Sequence, residues 1–451
     1  MSTVLSNLFF FIVAISVLVA VHEYGHYIVG RWCGMKVLRF SIGFGRPIWS
    51  RVAGADQTEY CISAIPLGGY VKFLDEREGP VPPEDEGRAF TQRPIPARIA
   101  VLFAGPLFNF LFAILAYMVL FTSGVPTVKP AVGPVVPDSY AAAAGLRYGD
   151  EIIEVESRRV ADWESTLLGI LETMVDDGRI NLTVRGEEGR ERSLLIDVGD
   201  DSARLTEPGL LFDGLGFSPW QPPAVVGEVL EGGAAQTAGL ETGDLITRID
   251  GEAVDSFGGL SEIVASRPGQ TVAVEATRDG RQIVLDVTLD TVDADGATRG
   301  RLGVGIDQSV GDYWYMRKYG FASAGVESLR QTWASTAFTV NMFARMLTGD
   351  VSIKNISGPI NIAQYAGDSA SAGLNQFLRF LALVSISLGV INLVPIPILD
   401  GGQIVYQTIE WLKGSPLSMR AQIVGQQVGI LALLLLMSFA FYNDIARILV
   451  D

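Results

Sequence analysis

Hydrophobic positions follow two patterns along this chain. Near both ends they form long unbroken runs, and between them they alternate with polar residues or cluster in short groups between glycines. Four runs, approximately Val4–Val29, Ile99–Ser123, Phe377–Leu399 and Ile423–Tyr442, predict spanning helices, since roughly 20 apolar residues cross the hydrocarbon layer. The first has no charged residue between Val4 and Val21. It also lacks the basic start of a signal peptide, so it is expected to be retained. Tyr313–Gly349 mixes apolar residues with Arg317, Lys318, Arg330 and Arg345, which predicts an amphipathic helix on the membrane surface.

Two copies of one pattern occupy the middle. Ala144-Gly145-Leu146-Arg147-Tyr148-Gly149-Asp150 recurs as Ala238-Gly239-Leu240-Glu241-Thr242-Gly243-Asp244, and Val132-Gly133-Pro134-Val135 as Val226-Gly227-Glu228-Val229, both at an offset of 94. Leu215-Gly216-Phe217 and Leu302-Gly303-Val304 correspond at an offset of 87. Two homologous domains of about 90 residues are therefore expected. The pattern resembles the bacterial PDZ fold, an α+β domain that accepts an extended peptide as an added strand. Capture of a peptide or C-terminal segment and steric shielding of the membrane part both fit that resemblance.

Charge divides the chain in the same places. Of 50 acidic and 34 basic side chains, 34 acidic and 14 basic lie between Pro130 and Tyr315, leaving 16 and 20 elsewhere. An acidic soluble block is thus inserted into a mildly basic membrane part, which argues against nucleic-acid partners. No Lys or Arg precedes the first run, whereas Arg31, Lys36, Arg39, Arg46 and Arg51 follow it, and Lys413 and Arg420 follow the third. Positive residues favour the cytoplasm, so both loops are expected there and the acidic block on the opposite side. Cys33 and Cys61 then lie on the reducing side and are read as structural thiols.

The candidate chemistry begins at the end of the first run. His22-Glu23-Tyr24-Gly25-His26 is an H-E-x-x-H motif holding both histidines of the chain. Imidazoles four residues apart on a helix share one face and one metal ion, with Glu23 beside it as a base for an attacking water. A catalytic zinc site takes three protein ligands. With no third histidine, the best candidate is Asp400, at the end of Asn392-Leu393-Val394-Pro395-Ile396-Pro397-Ile398-Leu399-Asp400-Gly401-Gly402. Pro395 and Pro397 break the helix, and the glycines permit a tight turn behind the carboxylate.

H-E-x-x-H in the first span, N-x-x-P-x-P-x-L-D-G in a later one and PDZ-like domains between them resemble the site-2 protease family of intramembrane zinc metalloproteases, in the branch with tandem PDZ domains. Gly43-Phe44-Gly45, Pro66-Leu67-Gly68-Gly69-Tyr70-Val71-Lys72, Ala104-Gly105-Pro106-Leu107-Phe108-Asn109 and Ser357-Gly358-Pro359-Ile360 extend the resemblance. It implies Zn²⁺ held by His22, His26 and Asp400, with Glu23 as general base and then proton donor. It also implies Asn392 contacting or orienting substrate. Gly43, Phe44, Gly45, Gly68, Gly69 and Tyr70 would lie in membrane-dipping β-segments that hold an unwound substrate strand.

The fold expected is a polytopic α-helical membrane protein of about four spans with two inserted PDZ-like domains. Its parts would run 1–125, 126–222, 223–312, 313–376 and 377–451, the fourth being the membrane-surface region. The function implied is intramembrane cleavage, in a bacterial inner membrane, of single-span proteins already trimmed outside, such as anti-sigma factors, and of remnant signal peptides. Asn109, inside the second span, is read as a helix-packing residue in preference to a site contact. A membrane-anchored PDZ adaptor with a structural metal site is the alternative function. Metal transport is disfavoured, because the spans are nearly free of ionisable residues.

Overall fold

The computed structural model describes residues 3–186, 189–207, 209–294, 297–307, 314–352, 354 and 356–450. The chain forms two units, one built from Val4–Val125, Arg317–Gly349 and Ile353–Asp451, the other mainly from Pro126–Met316. The first opens with helix α1 (Thr3–Trp32), strands β1 (Val37–Ala53) and β2 (Thr58–Phe73), and helix α2 (Ile95–Ser123). Pro96 sits in the first turn of α2, where no N–H is needed, and Gly124 (φ +90°) ends the helix.

Strand β3 (Val125–Val128) leads into the second unit. Its first domain comprises β4 (Val132–Val135), α3 (Tyr140–Ala143), β5 (Glu151–Val155), β6 (Arg158–Arg159), α4 (Trp163–Asp177), β7 (Arg179–Arg185), β8 (Glu191–Asp197), α5 (Ser202–Leu205), α6 (Leu210–Leu215) and β9 (Phe217–Pro219). The next comprises β10 (Val226–Val229), α7 (Ala234–Ala238), β11 (Leu245–Ile249), β12 (Glu252–Ala253), α8 (Phe257–Ala265), β13 (Thr271–Arg278), β14 (Arg281–Thr288), β15 (Asp290–Ala294), β16 (Ala297–Arg301) and β17 (Val304–Ile306). The sheet orders β6-β5-β7-β8 and β12-β11-β13-β14, with the pairs β4-β9 and β10-β17, repeat one topology. Each domain closes around its own apolar core.

The Gly-Asp of the repeated pattern is an anchor in both copies. Arg192 grips the buried Asp150 carboxylate with two 2.7 Å contacts, and Arg278 grips Asp244 in the same way. The same carboxylates accept the Arg147 and Glu241 backbone N–H groups.

After β18 (Trp314–Arg317), the first unit resumes with α9 (Phe321–Thr348), α10 (Pro359–Ser371), α11 (Leu374–Leu393), α12 (Asp400–Lys413) and α13 (Met419–Val450). Among the described residues, α1, α2, α11 and α13 are long and apolar enough to span a membrane. The chain is a polytopic helical membrane protein carrying two PDZ-like α+β domains. The third span ends at Leu393, six residues before the hydropathy boundary. Val394 precedes Pro395 and adopts extended angles, so the segment to Leu399 leaves the helix while remaining apolar.

α9 has its polarity inside out. Ala324, Ser328, Thr332 and Ser335 are buried, while Val326, Leu329, Trp333 and Val340 are exposed. An apolar outer face suits lipid, and small inner residues let helices approach. At the far end, Asp444 of α13 accepts the N–H groups of Gly358, Ile360 and Asn361 at 2.8, 2.9 and 3.2 Å, capping α10. Its burial is compensated by those three donors.

Candidate active site

His22 and His26 project from one face of α1, with their Nε2 atoms 3.2 Å apart. Both are buried. α2 lies unusually close to this face. A Cβ added at Gly25 would stand 2.4 Å from the Ala104 carbonyl oxygen, and one added at Gly105 would stand 2.4 Å from His26 Nε2 and 2.7 Å from His22 Nε2. Gly25 thus lets α2 come close, and Gly105 leaves a cradle about one atom wide beside the imidazole nitrogens.

Asp400 is the first residue of α12. Its Oδ2 lies 3.2 Å from His22 Nε2 and 3.5 Å from His26 Nε2, buried and without a hydrogen bond of good geometry. Gly401 and Gly402 belong to the helix rather than to a turn behind the carboxylate. They are needed for close packing, since Cβ atoms there would approach the Leu393 and Ile396 carbonyl oxygens to 2.2 and 2.1 Å. Farther along α12, Glu410 accepts from Arg98 of α2 at 3.0 Å, in a largely buried ion pair. Glycine packing and this pair together hold α12 against the rest of the site.

The outer nitrogens of the imidazoles are also engaged. His26 Nδ1 donates to the Val101 carbonyl oxygen at 2.7 Å, which leaves Nε2 with its lone pair facing the cradle. His22 Nδ1 lies 3.1 Å from the Asn109 carboxamide. Three ligand atoms from His22, His26 and Asp400 fall within 4.8 Å of one another. An unsatisfied buried carboxylate oxygen, two imidazole nitrogens and the one-atom cradle at Gly105 fit a single divalent cation of the zinc class.

Glu23, one residue from His22 and partly buried, is within electrostatic reach of all three and lies beside the backbone of Val71. That backbone belongs to β2. Residues 39–42 of β1 lie between 59–62 and 69–72 of β2, so the latter stretch has one edge without a partner strand among the described residues. Gly69 brings it against α1, where a Cβ would meet Ser41 O at 2.7 Å, Val19 Cγ1 at 2.8 Å and Glu23 Cγ at 3.1 Å. Gly43 and Gly45 have φ of +93° and +87° and shape the bend of β1, while Gly68 makes room for the Phe44 ring, which stacks on Tyr70. Asn392 is turned back on its own helix, its Nδ2 donating to the Leu388 carbonyl at 3.0 Å.

Gly105 and Asn109 are the site neighbours that the sequence reading gave no role in the chemistry. Their spacing of four from Val101 is visible in the chain, but nothing in it shows that this face of α2 meets the histidines.

The description "Peptidase family M50" matches residues 10–436. The regulator of sigma E protease of Salmonella typhi is 41% identical over 455 residues, covering 99% of this chain and 100% of that protein. A putative zinc metalloprotease of Vibrio cholerae serotype O1 is 40% identical over 454 residues, again with 99% and 100% coverage. Among solved structures, the PDZ domain of an SdrC-like protein from Listeria monocytogenes aligns at 26% identity with 20% of this chain and 90% of its own, at a TM-score of 0.17. With a family match that runs from before His22 to beyond Asp400, this chain belongs to peptidase family M50 and is a zinc metalloendopeptidase of the site-2 protease type.

Proposed function

We propose that His22 Nε2, His26 Nε2 and Asp400 Oδ2 hold the zinc ion and that Glu23 moves the proton in peptide hydrolysis. The observation carrying this reading is the convergence of those three atoms within 4.8 Å of one another, with the Gly105 cradle beside the two imidazoles. Zinc, when bound there, would supply Lewis acidity toward water and the scissile carbonyl. Glu23 takes the proton from the attacking water and delivers it to the leaving amide nitrogen. His26 and Asp400 stay fixed meanwhile, the first by the Val101 carbonyl and the second by the packing of α12.

The substrate class follows from the strand edge. A spanning helix hides its peptide bonds and must be unwound before attack, which leaves backbone groups needing partners in a water-poor place. The open edge of β2 at Gly69–Val71, touching Glu23, offers them. Gly43–Gly45, Gly68 and Tyr70 shape that sheet, and Phe44, Ile48, Trp49 and Val52 are exposed on it, as suits β-segments that dip into lipid. Asn392 would meet substrate only after leaving the Leu388 carbonyl.

The proposed substrates are single-span membrane proteins already trimmed on the outer side, anti-sigma factors in particular, with remnant signal peptides as a second set. The similarity to the regulator of sigma E protease of Salmonella typhi supports the regulatory setting. The enzyme would sit in the inner membrane with its parts at 1–125, 126–222, 223–312, 313–376 and 377–451. The PDZ-like pair would be periplasmic and the metal site near the cytoplasmic face, as the Lys and Arg distribution favours. In the later PDZ-like domain, a cavity of about 380 Å³ lined by Leu230, Phe257, Leu260, Val264 and Leu302 supports peptide capture. In the earlier one, Trp163, Phe212 and Phe217 pack edge to face near the matching position, which favours steric shielding there.

The test is cleavage of a trimmed single-span substrate in detergent by the natural chain and by Glu23→Gln. The expected result is loss of cleavage with bound zinc unchanged. Equal cleavage by both proteins would remove Glu23 from the reaction.

A further inference from the structure

Asn109 is a fully buried carboxamide inside an apolar spanning helix. Its Nδ2 faces His22 Nδ1 at 3.1 Å, and its equally buried Oδ1 has no hydrogen-bond partner. A polar group at that depth is costly unless it is used. We infer that Asn109 is a positioning residue that fixes His22 in its cation-holding tautomer by accepting the Nδ1 proton on its side-chain oxygen. This deepens the metal-site reading above and rests on it.

A neutral imidazole carries one N–H. When Nε2 gives its lone pair to a cation, the proton resides on Nδ1, and Nδ1 then needs an acceptor. Such outer partners regularly fix the orientation and basicity of metal-bound histidines. His26 has its acceptor in the Val101 carbonyl. For His22, the side chain in reach is Asn109. The oxygen and nitrogen of a carboxamide exchange places by a half-turn, and which one faces a neighbour is assigned from the hydrogen-bond network. Only the oxygen can receive an Nδ1 proton.

The surroundings hold Asn109 for this task. Ser385 Oγ of α11 donates to its backbone oxygen at 2.9 Å, and Gly389 of α11 lies against the neighbouring Phe110 ring. Val101, Gly105 and Asn109 recur every four residues, so one face of α2 serves both histidines. It supplies a carbonyl for His26, the space for the cation, and a carboxamide for His22.

The experiment measures zinc affinity of the full-length protein in detergent by chelator competition, with the thermal midpoint of the metal-free protein alongside. Four proteins are compared: the natural chain, Asn109→Leu, Asn109→Asp and Asp400→Ala. Leucine fills the space without an acceptor, and aspartate keeps an acceptor in place. The expected result is an affinity loss of roughly 10–100-fold in Asn109→Leu, near-natural affinity in Asn109→Asp, and no fall in the metal-free midpoint of Asn109→Leu. Natural affinity in Asn109→Leu, or an equal loss in Asn109→Asp, overturns the inference and leaves the metal site standing. Natural affinity in Asp400→Ala, or no zinc bound by the natural chain, overturns the metal site and this inference with it.

Discussion

Adding one methyl group at Gly105 should abolish the metal site while leaving the fold in place. A Cβ there stands 2.4 Å from His26 Nε2, 2.6 Å from its Cε1 and 2.7 Å from His22 Nε2. Ordinary contact needs roughly 3.5 Å, so about 1 Å must be found. Moving α1 away by that amount would stretch the 2.7 Å bond from His26 to Val101 beyond hydrogen-bonding length. Rotating the imidazoles would break their Nδ1 contacts instead. Either route leaves buried polar groups unpaired, at about 1–3 kcal/mol each. The methyl also takes the space of a cation that needs Zn–N distances of roughly 2.0–2.1 Å.

Gly105→Ala should therefore weaken zinc binding by at least about 100-fold, or about 2.8 kcal/mol. Helix propensity, favouring alanine by about 1 kcal/mol, supports retention of the fold. The assay is zinc per protein after a chelator challenge, together with cleavage of a single-span substrate. Gly325→Ala on α9, with nothing within 4 Å of the added carbon, is the control and should be silent in both. Natural zinc affinity in Gly105→Ala would refute the cradle and the packing logic behind it.

Three further outcomes are expected. Removing the Asp244 charge, as Asp244→Asn, weakens the hydrogen bonds that this buried carboxylate accepts from the partly exposed Arg278 and should destabilise the later PDZ-like domain by roughly 1–3 kcal/mol, read as faster hydrogen exchange in β11 and β13 of the full-length protein. The hydrogen bonds from Arg278 hold the Asp244 carboxyl below its ordinary range. That stability is complete above the unfolded value near pH ~4 and is lost as pH falls through the lower folded value, so acid should erase the difference between Asp244→Asn and the natural chain. Asp444→Ala leaves three buried N–H groups of α10 without their acceptor and should cost roughly 2–4 kcal/mol, seen as a lower thermal midpoint.

Much of this architecture is written locally in the chain. Long apolar runs and a repeat at offsets of 94 and 87 disclose spans and domains, because hydropathy and recurrence need no partner to be read. H-E-x-x-H is legible since both histidines ride one helix. The motif singles out Asp400 as a candidate, but not its setting: Gly401-Gly402 suggests a turn, whereas packing against Leu393 and Ile396 puts both residues inside α12. Hydropathy extends the third span to Leu399 because it is blind to the Pro395 constraint on Val394. Asn109 reads as a packing residue, as any lone polar residue in a span does. Gly105 acts through the side chain it lacks, and only the opposing helix reveals what that space is for.

The order in which the ligands emerge from the ribosome has its own consequence. His22 and His26 are made on α1, while Asp400 begins α12, 374 residues after His26. At about 5–20 residues per second, that interval lasts roughly 20–75 s. On the proposed ligand set, the nascent chain during that interval holds His22, His26 and Glu23 without Asp400, and would be a disarmed protease among other newly inserted spans. Completion of the C-terminal helices would then be the arming step. A chain stopped before α12 should bind zinc poorly and cleave nothing, however well its first half is inserted.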